Sequence, residues 1–279
     1  MDKSGVTRPT ISPHDPSCHD NLPVPIKASI QSHDKLLLES FHHLQLNHIL
    51  AALPLAELEN FILYLKLVYI PVGQMLYEQS QKPRYVYFPT TSVISLLHVL
   101  KSGKTSETAG VGKEGMVGIA LFLGGDIMPS SAVVQISGYA YQLEGELFKQ
   151  NFKNNKVFKS LLMRYTQALL TQFSITAVCN RHHNLQQQLS RWLLITLDRL
   201  TTNEITVTQY LLAGILGVRR EGISEAASQL KREGLINYRR GHLTLTDRTG
   251  VEAKVCECYK EIKNEMIRLL PEPSNLKDF

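Results

Sequence analysis

The sequence predicts an α+β protein with an N-terminal antiparallel β-roll, a long dimerisation helix and a C-terminal winged helix-turn-helix. Three patterns support this fold class. Short runs rich in β-branched and aromatic residues recur between about positions 66 and 143, with Gly and Pro between them. A stretch without Pro or Gly follows over residues 158–181 and has helical spacing. Two shorter helical patterns then meet at Gly217, and a hairpin-like alternation comes after them.

The first 35 residues combine many prolines with Ser, Thr, Asp and His and show no apolar period. Such a composition cannot bury enough apolar surface to fold, so we predict a disordered leader over residues 1–35. His14, Cys18, His19 and Asp20 could be drawn as a metal cluster. A flexible tail gives these side chains no fixed geometry, so we predict no metal site.

The segment over residues 36–157 is predicted to be a sensor domain. Two amphipathic helices, over 44–53 and 55–65, come first and are separated by Pro54. Short strands at regular spacing are typical of an antiparallel barrel or jelly roll. The predicted strands cover 68–70, 75–77, 85–88, 92–100, 105–111, 133–136 and 139–143, with one apolar turn at 116–123. A further helix is predicted to begin at Glu144.

The segment over residues 184–250 is predicted to be a winged helix-turn-helix domain. Thr206-x-x-Gln209 has the spacing of a capping box and predicts the start of the first helix. Gly217 suits the tight turn, because glycine readily adopts a positive φ. The second helix is predicted over 219–233, and alternation over 236–238 and 243–246 predicts a hairpin with a basic tip. The segment holds nine Lys/Arg and six Asp/Glu, and this excess suits a polyanionic partner.

The stretch LLAGILGVRREGISEAASQLKREGLINYRRGHLTLTDR resembles the winged helix-turn-helix of the Crp/Fnr superfamily of bacterial transcription regulators. The resemblance implies a recognition helix that opens with an Arg-Glu pair, here Arg220 and Glu221. Arg can bind guanine O6 and N7 in a fork, and Glu can accept from cytosine N4. The family's best-known members carry a basic residue at the position of Glu225, so a different operator is expected. The candidate DNA-binding residues are Arg219, Arg220, Glu221, Ser224, Glu225, Arg239, Arg240 and His242.

The predicted roll is similar to the cyclic-nucleotide-binding-like roll of the same superfamily. In nucleotide-binding members a Glu takes the ribose 2′-hydroxyl and an Arg pairs with the cyclic phosphate. In the corresponding stretch, GMVGIALFLGGDIMPSSAV, Met116 stands in place of Glu and Ser130 in place of Arg. Loss of a charge-assisted contact of about 1.5–3 kcal/mol disfavours cyclic nucleotide binding and leaves open another ligand or none. The degenerate effector pocket comprises Gly115, Met116, Gly118, Ser130, Ser131 and Ala132.

The helix predicted over 158–181 carries a stripe at 4-3 spacing, which resembles the seam of a coiled coil. Two interpretations are open, because the helix could pack on its own β-roll or pair with a second copy. The length of the stripe and its polar members favour a homodimer. The candidate dimer-interface residues are Leu162, Tyr165, Leu169, Gln172 and Thr176. This helix and its hinge are assigned to 158–183, and a C-terminal helix and tail, which open at Thr249-x-x-Glu252, to 251–279.

The cysteines and histidines give no sign of a cofactor. No apolar run approaches the 18 residues of a membrane span and the N-terminus lacks a signal-peptide core, so we expect a cytoplasmic protein with no membrane partner and reduced thiols. Cys256-x-Cys258 falls on a helical pattern that points its thiols in different directions, and we expect them to be inert. An iron–sulfur cluster needs about four thiolates, and only Cys18 and Cys179 precede the winged segment. Haem would need an axial ligand such as His48 or His98, and neither belongs to a recognisable motif.

These features predict a non-enzymatic transcription regulator that binds double-stranded DNA with a two-fold operator as a homodimer. RNA polymerase and an unidentified small-molecule effector are further candidate partners. One alternative is an effector-sensing module that acts on a protein partner, and another is a cyclic-nucleotide-responsive activator. A cupin-like metalloenzyme would need paired inward His ligands on adjacent strands, and the predicted strands hold only His98.

Overall fold

The computed structural model describes residues 43–54, 57–58 and 62–270. The predicted leader, part of the predicted helix over 55–65 and residues 271–279 lie outside this range. Within it the chain forms a β-roll, then a long helix, then a winged helix-turn-helix, so the predicted α+β fold class is confirmed. None of the described helices is both long and apolar enough to cross a membrane.

Every β-rich run predicted in the roll forms a strand. The strands are β1 (Lys66–Ile70), β2 (Met75–Tyr77), β3 (Tyr85–Pro89), β4 (Val93–Val99), β5 (Thr105–Val111), β6 (Ser131–Ile136) and β7 (Gly138–Glu144). They make two antiparallel sheets with the strand orders β1-β7-β3 and β2-β6-β4-β5. Val86, Phe88 and Ile94 belong to the core of the roll and are wholly buried. Burial of this apolar surface is the main force that stabilises the roll.

Two short helices, α1 (His48–Ala51) and α2 (Ala120–Leu123), complete the roll. Asn47 caps α1, because its Oδ1 accepts hydrogen bonds from the amides of Ile49 and Leu50. The buried Nδ2 of Asn47 donates to the carbonyl oxygens of Pro89, at 2.8 Å, and Gly115, at 2.9 Å. One polar side chain therefore ties α1 to strand β3 and to the loop that carries the predicted pocket.

The roll continues into α3 (Gly145–Asn154) and the 27-residue helix α4 (Lys156–His182). Asn155 Oδ1 accepts from the amide of Phe158 and so caps α4. The predicted dimer seam lies on the inner face of α4, and the exposed fractions of its members are small: Leu162 0%, Tyr165 1%, Leu169 1%, Gln172 3% and Thr176 7%. Side chains that are already buried in their own protomer have almost no surface to give to a partner. The stripe therefore packs on its own chain, and the choice of these five residues as dimer contacts needs correction.

The winged region begins with α5 (Leu185–Asp198), β8 (Glu204–Thr206) and α6 (Gln209–Leu216). It continues with α7 (Arg220–Arg232), β9 (Ile236–Arg239) and β10 (His242–Leu245), and its sheet has the order β8-β10-β9. The prediction that Thr206 caps α6 is wrong, because Thr206 pairs with His242 in the sheet. Thr208 is the cap, and its Oγ1 accepts from the amide of Leu211 at 3.1 Å. Strand β8 was not predicted.

The C-terminal segment forms two helices where the sequence predicted one. These are α8 (Arg248–Lys254) and α9 (Cys258–Leu269), and Asp247, not Thr249, caps the first of them. Val251, Tyr259 and Ile262 pack into the core of the winged region. Leu269 and Leu270 instead join the core of the roll, and α9 also lies against α4. The C-terminal segment thus contacts both halves of the described chain.

Candidate nucleic-acid interface and sensor pocket

Helix α7 has one buried face and one face free for a partner. Ile223, Ala226, Ala227 and Leu230 recur at helical spacing and are buried in the core of the winged region. The opposite face carries the predicted contacts of the recognition helix. Arg219, Arg220, Glu221 and Glu225 are exposed there, and Ser224 is half-buried.

A groove of about 510 Å³ separates the start of α7 from the tip of the β9–β10 hairpin. Its lining residues are Thr208, Gln209, Tyr210, Arg220, Tyr238, Arg240 and Gly241. Burial raises the pKa of Tyr238, and the nearby charge of Arg220 partly offsets this rise. Within the described part of the chain, no carboxylate forms a salt bridge with Arg220 or Arg240, in contrast to Arg199 and Arg248. The two guanidinium groups therefore present uncompensated positive charge on either side of one groove.

The hairpin tip is a two-residue turn in which both residues adopt a positive φ, 51° for Arg240 and 83° for Gly241. Positive φ at both central positions matches a type I′ turn, whose twist suits a hairpin. A positive φ costs a non-glycine residue about 1–2 kcal/mol. Glycine, asparagine or aspartate would therefore adopt the conformation of Arg240 with less strain. Unlike Arg240, His242 lies beside a carboxylate, because its Nδ1 is 3.5 Å from Glu204 Oε1. Arg239 is exposed and lies beside the turn.

The predicted effector pocket is filled at one end by a side chain from helix α4. Tyr165 donates a hydrogen bond to the carbonyl oxygen of Met116 at 2.7 Å. A Cβ atom added to Gly115 would lie 2.3 Å from the ring of Tyr165, so only glycine fits there. Met116 and Ala132 are wholly buried, and Gly118 adopts a φ of 111°.

The two serines of the predicted pocket have polar neighbours, and no Lys or Arg lines the cavity at Ser130. Ser131 Oγ accepts from the amide of Gln79 at 3.0 Å. Ser130 lines a cavity of about 290 Å³ that also contains His98 and Glu107 but no Lys or Arg. Burial raises the pKa of Glu107, although the hydrogen bond from Ser95 opposes the rise. A buried carboxyl group thus lines the same cavity as Ser130.

Arg199 joins the winged region to this part of the roll. Its Nε donates to Glu114 Oε1 at 2.8 Å, and its Nη2 donates to the carbonyl oxygen of Gly110 at 2.7 Å. A Cβ atom added to Gly110 would lie 2.5 Å from the Arg199 side chain, and one added to Gly112 would lie 2.7 Å from it. A larger residue at either position would therefore displace the Arg199 side chain. No sequence motif predicted this contact. It connects the end of α5 to the residue just before Gly115.

Cys179, His183, Cys256 and Cys258 form a cluster whose four ligand atoms all lie within 4.8 Å of one another. The prediction of two diverging thiols is wrong, because Cys256 lies in the break between α8 and α9 and not on a continuous helix. The hydrogen bond with Cys256 lowers the pKa of Cys179, whereas burial raises the pKa of Cys258 to about 11. In the described part of the chain, this is the only group of three or more His, Cys, Asp or Glu side chains close enough together to hold a metal ion.

Comparisons with known proteins match both halves of the fold. The model of a Crp-like helix-turn-helix domain matches residues 187–254, and the model of a cyclic nucleotide-binding domain matches residues 67–155. No curated protein sequence matches the chain.

Several solved structures share the fold at low sequence identity. FixK2 from Bradyrhizobium japonicum is 15% identical, with a TM-score of 0.58 over 69% of this chain and 98% of that chain. The c-di-GMP responsive global regulator CLP from Xanthomonas campestris is 15% identical, with a TM-score of 0.52 over 69% and 99%. A CRP/FNR-family transcriptional regulator from Thermus thermophilus is 21% identical, with a TM-score of 0.53 over 67% and 97%. With both family models matched in this order, the chain belongs to the Crp/Fnr superfamily of transcription regulators, which are not enzymes.

Proposed function

We propose that this protein is a sequence-specific regulator that binds a two-fold DNA operator as a homodimer and whose roll does not bind cyclic nucleotide. The observation that carries the DNA-binding part is the groove between α7 and the hairpin, which Arg220 and Arg240 flank without carboxylate partners. Unpaired arginines on a protein surface are suited to the phosphates and base edges of a duplex. The division into a sensor domain, a linking helix, a winged domain and a C-terminal segment, with the boundaries given above, belongs to the same proposal.

Arg220 and Arg240 have different roles in this proposal. Arg220 lies in the first turn of α7, where a recognition helix meets base edges in the major groove. Arg240 lies at the hairpin tip, where it contacts the phosphate backbone. Glu221 follows Arg220 on the exposed face and accepts from cytosine N4.

The experiment is a pair of duplex titrations for each variant, on a selected operator and on random DNA, at several salt concentrations. Arg220→Ala is expected to cost about 1–3 kcal/mol on the operator and much less on random DNA. Arg240→Ala is expected to weaken both equally and to lower the salt slope by about one unit. Lys153→Ala, exposed on α3, is the control and leaves both affinities unchanged. Uniform loss in Arg220→Ala would show that this residue only holds phosphate.

The homodimer is proposed to form through the outer face of α4. Met163, Leu170 and Val178 are apolar and are 47%, 56% and 55% exposed in the protomer. Gln167 and Ser174 lie between them and are also exposed, and the five residues follow one another at steps of about four, three, four and four positions. Two copies of this stripe can pair about a two-fold axis, which places two recognition helices on two half-sites.

The lack of cyclic nucleotide binding is supported by Met116, Ser130 and Glu107. No positive side chain lines the cavity at Ser130, and Tyr165 fills the space beside Gly115. Cyclic AMP or cyclic GMP at millimolar concentration is therefore expected to leave both the melting temperature and the operator affinity unchanged. Calorimetry that finds a micromolar cyclic nucleotide site would contradict the proposed lack of nucleotide binding, and it would leave the DNA-binding and homodimer proposals unaffected.

A further inference from the structure

We propose that Cys179, His183, Cys256 and Cys258 bind one zinc ion, which joins the end of helix α4 to the C-terminal helices. Zinc in structural sites takes four protein ligands in a tetrahedron, and three cysteines with one histidine is a common set. All four donor atoms lie within 4.8 Å of one another in the described chain. This inference concerns a ligand that the DNA-binding proposal does not require.

The distances between donor atoms fit a single ion. Zn–S bonds of about 2.3 Å and Zn–N bonds of about 2.0 Å place two sulfurs about 3.8 Å apart, and a sulfur and a nitrogen about 3.5 Å apart. Here Cys179 Sγ lies 3.6 Å from Cys256 Sγ, and Cys258 Sγ lies 3.6 Å from His183 Nδ1. An iron–sulfur cluster is too large for this spacing, because its protein ligands are divided among two or four irons and some of them must lie farther apart than 4.8 Å. A disulfide requires an S–S distance of about 2.05 Å, and the described cysteines are free.

The imidazole of His183 is oriented for a metal ion. Its Nε2 lies 3.4 Å from the carboxylate of Glu257, while its Nδ1 faces the thiols. Metal-binding histidines generally donate their second ring N–H to a carboxylate or carbonyl, which directs the other nitrogen's lone pair to the ion. The backbone of His183 is also held, because Gln188 Nε2 donates to its carbonyl oxygen at 2.9 Å. Both the ring and its attachment are thus positioned.

The charges around the cluster are compatible with an anionic zinc centre. Three thiolates, a neutral imidazole and Zn²⁺ carry a net charge of −1. Arg191 is only 5% exposed, and its Nη1 donates to Thr176, one turn before Cys179 on α4. Its Nε has no hydrogen-bond partner in the described part of the chain, and the carboxyl group of Glu107 lines the same small pocket. Glu107 supplies one negative charge near this guanidinium group, and an anionic zinc–thiolate centre one turn further along α4 would add to it.

The local chain geometry explains how the four residues meet. Cys179 lies in the last turn of α4, and His183 follows directly after the helix, where its amide donates to the carbonyl oxygen of Cys179 at 3.0 Å. The break between α8 and α9 turns Cys256 toward Cys258 and avoids the divergence of a continuous helix. Because His183 lies between α4 and α5, the ion would also hold the hinge between the roll and the winged region.

The test uses the full-length protein, reduced, stripped with a chelator and titrated with Zn²⁺ or with Co²⁺ as a spectroscopic probe. We expect one equivalent per chain and the thiolate charge-transfer and intense d–d bands of tetrahedral cobalt. Cys256→Ser is expected to abolish those bands, whereas Cys18→Ser, whose thiol lies outside the described residues, is expected to keep them.

Glu257→Gln covers the case in which Cys256→Ser does not fold, because the Glu257 side chain is 69% exposed. This variant is expected to keep one equivalent of metal and to weaken zinc affinity about 10- to 100-fold. An octahedral cobalt spectrum, sub-stoichiometric binding, unchanged affinity in Glu257→Gln or a Cys179–Cys256 disulfide in place of metal would overturn the proposal. The measurement contains no DNA, so its failure is separate from failure of the proposed function.

Discussion

Helix α4 carries two neighbouring stripes that each contain apolar residues, and the two stripes face different surroundings. The inner stripe includes Leu162 and Leu169, which are 0% and 1% exposed against the roll. The outer stripe includes Met163 and Leu170, which are 47% and 56% exposed. Met163 directly follows Leu162 in the sequence, and Leu170 directly follows Leu169. A 4-3 repeat therefore shows that a helix has an apolar face, and it does not show whether that face meets its own chain or another.

The largest expected effect is at Leu169. Leu169→Glu places a charge in the packed contact between α4 and the roll, and it also removes apolar packing. The free energy of unfolding of the roll is expected to fall by about 4 kcal/mol or more. Urea denaturation followed by circular dichroism measures this change. An unaltered midpoint would mean that α4 packs on the roll through another face.

A smaller effect on the same face is expected at Tyr165. Tyr165→Phe keeps the ring against Gly115 but removes the hydrogen bond to the carbonyl oxygen of Met116. The loss is expected to be about 1 kcal/mol, because the carbonyl is left without its partner. Tyr210→Phe is the matched control, since Tyr210 is 81% exposed and its loss should stay below about 0.5 kcal/mol. If the two variants lost the same free energy of unfolding, the hydrogen bond from the buried Tyr165 hydroxyl would not contribute to stability.

The smallest effect on folding is expected at Leu170, next to the most sensitive position. Leu170→Glu changes the stability of the protomer by no more than about 0.5 kcal/mol. It places like charges across a two-fold contact, so light scattering is expected to report monomers. The melting temperature of the unmodified protein should rise with protein concentration, and that of Leu170→Glu should not. A Leu170→Glu protein that stays dimeric would place the proposed interface elsewhere.

Features that depend on neighbouring residues were predicted well. The strand runs of the roll, the helix–Gly217–helix unit and the basic hairpin all appear where their local patterns indicate. Gly217 adopts a φ of 68°, as a tight turn requires. The serine at position 130, where the resemblance to nucleotide-binding members leads one to expect an Arg, can be read directly from the sequence. Cap positions depend on more than the local pattern, since Thr206 and Thr208 both lie near the start of α6 and pairing in the sheet decides between them.

Features that join distant segments were decided only by the tertiary structure. Arg199 meets Glu114 across 85 positions, and Cys179 meets Cys256 across 77. Neither pair has a spacing that marks it in the sequence. The sequence by itself determined the periods, the turns and the types of side chain available, because these follow from backbone conformation over a few residues. Which stripe of α4 is buried, and which thiols meet, depends on how helices and sheets pack, since that packing selects among faces that are locally equivalent.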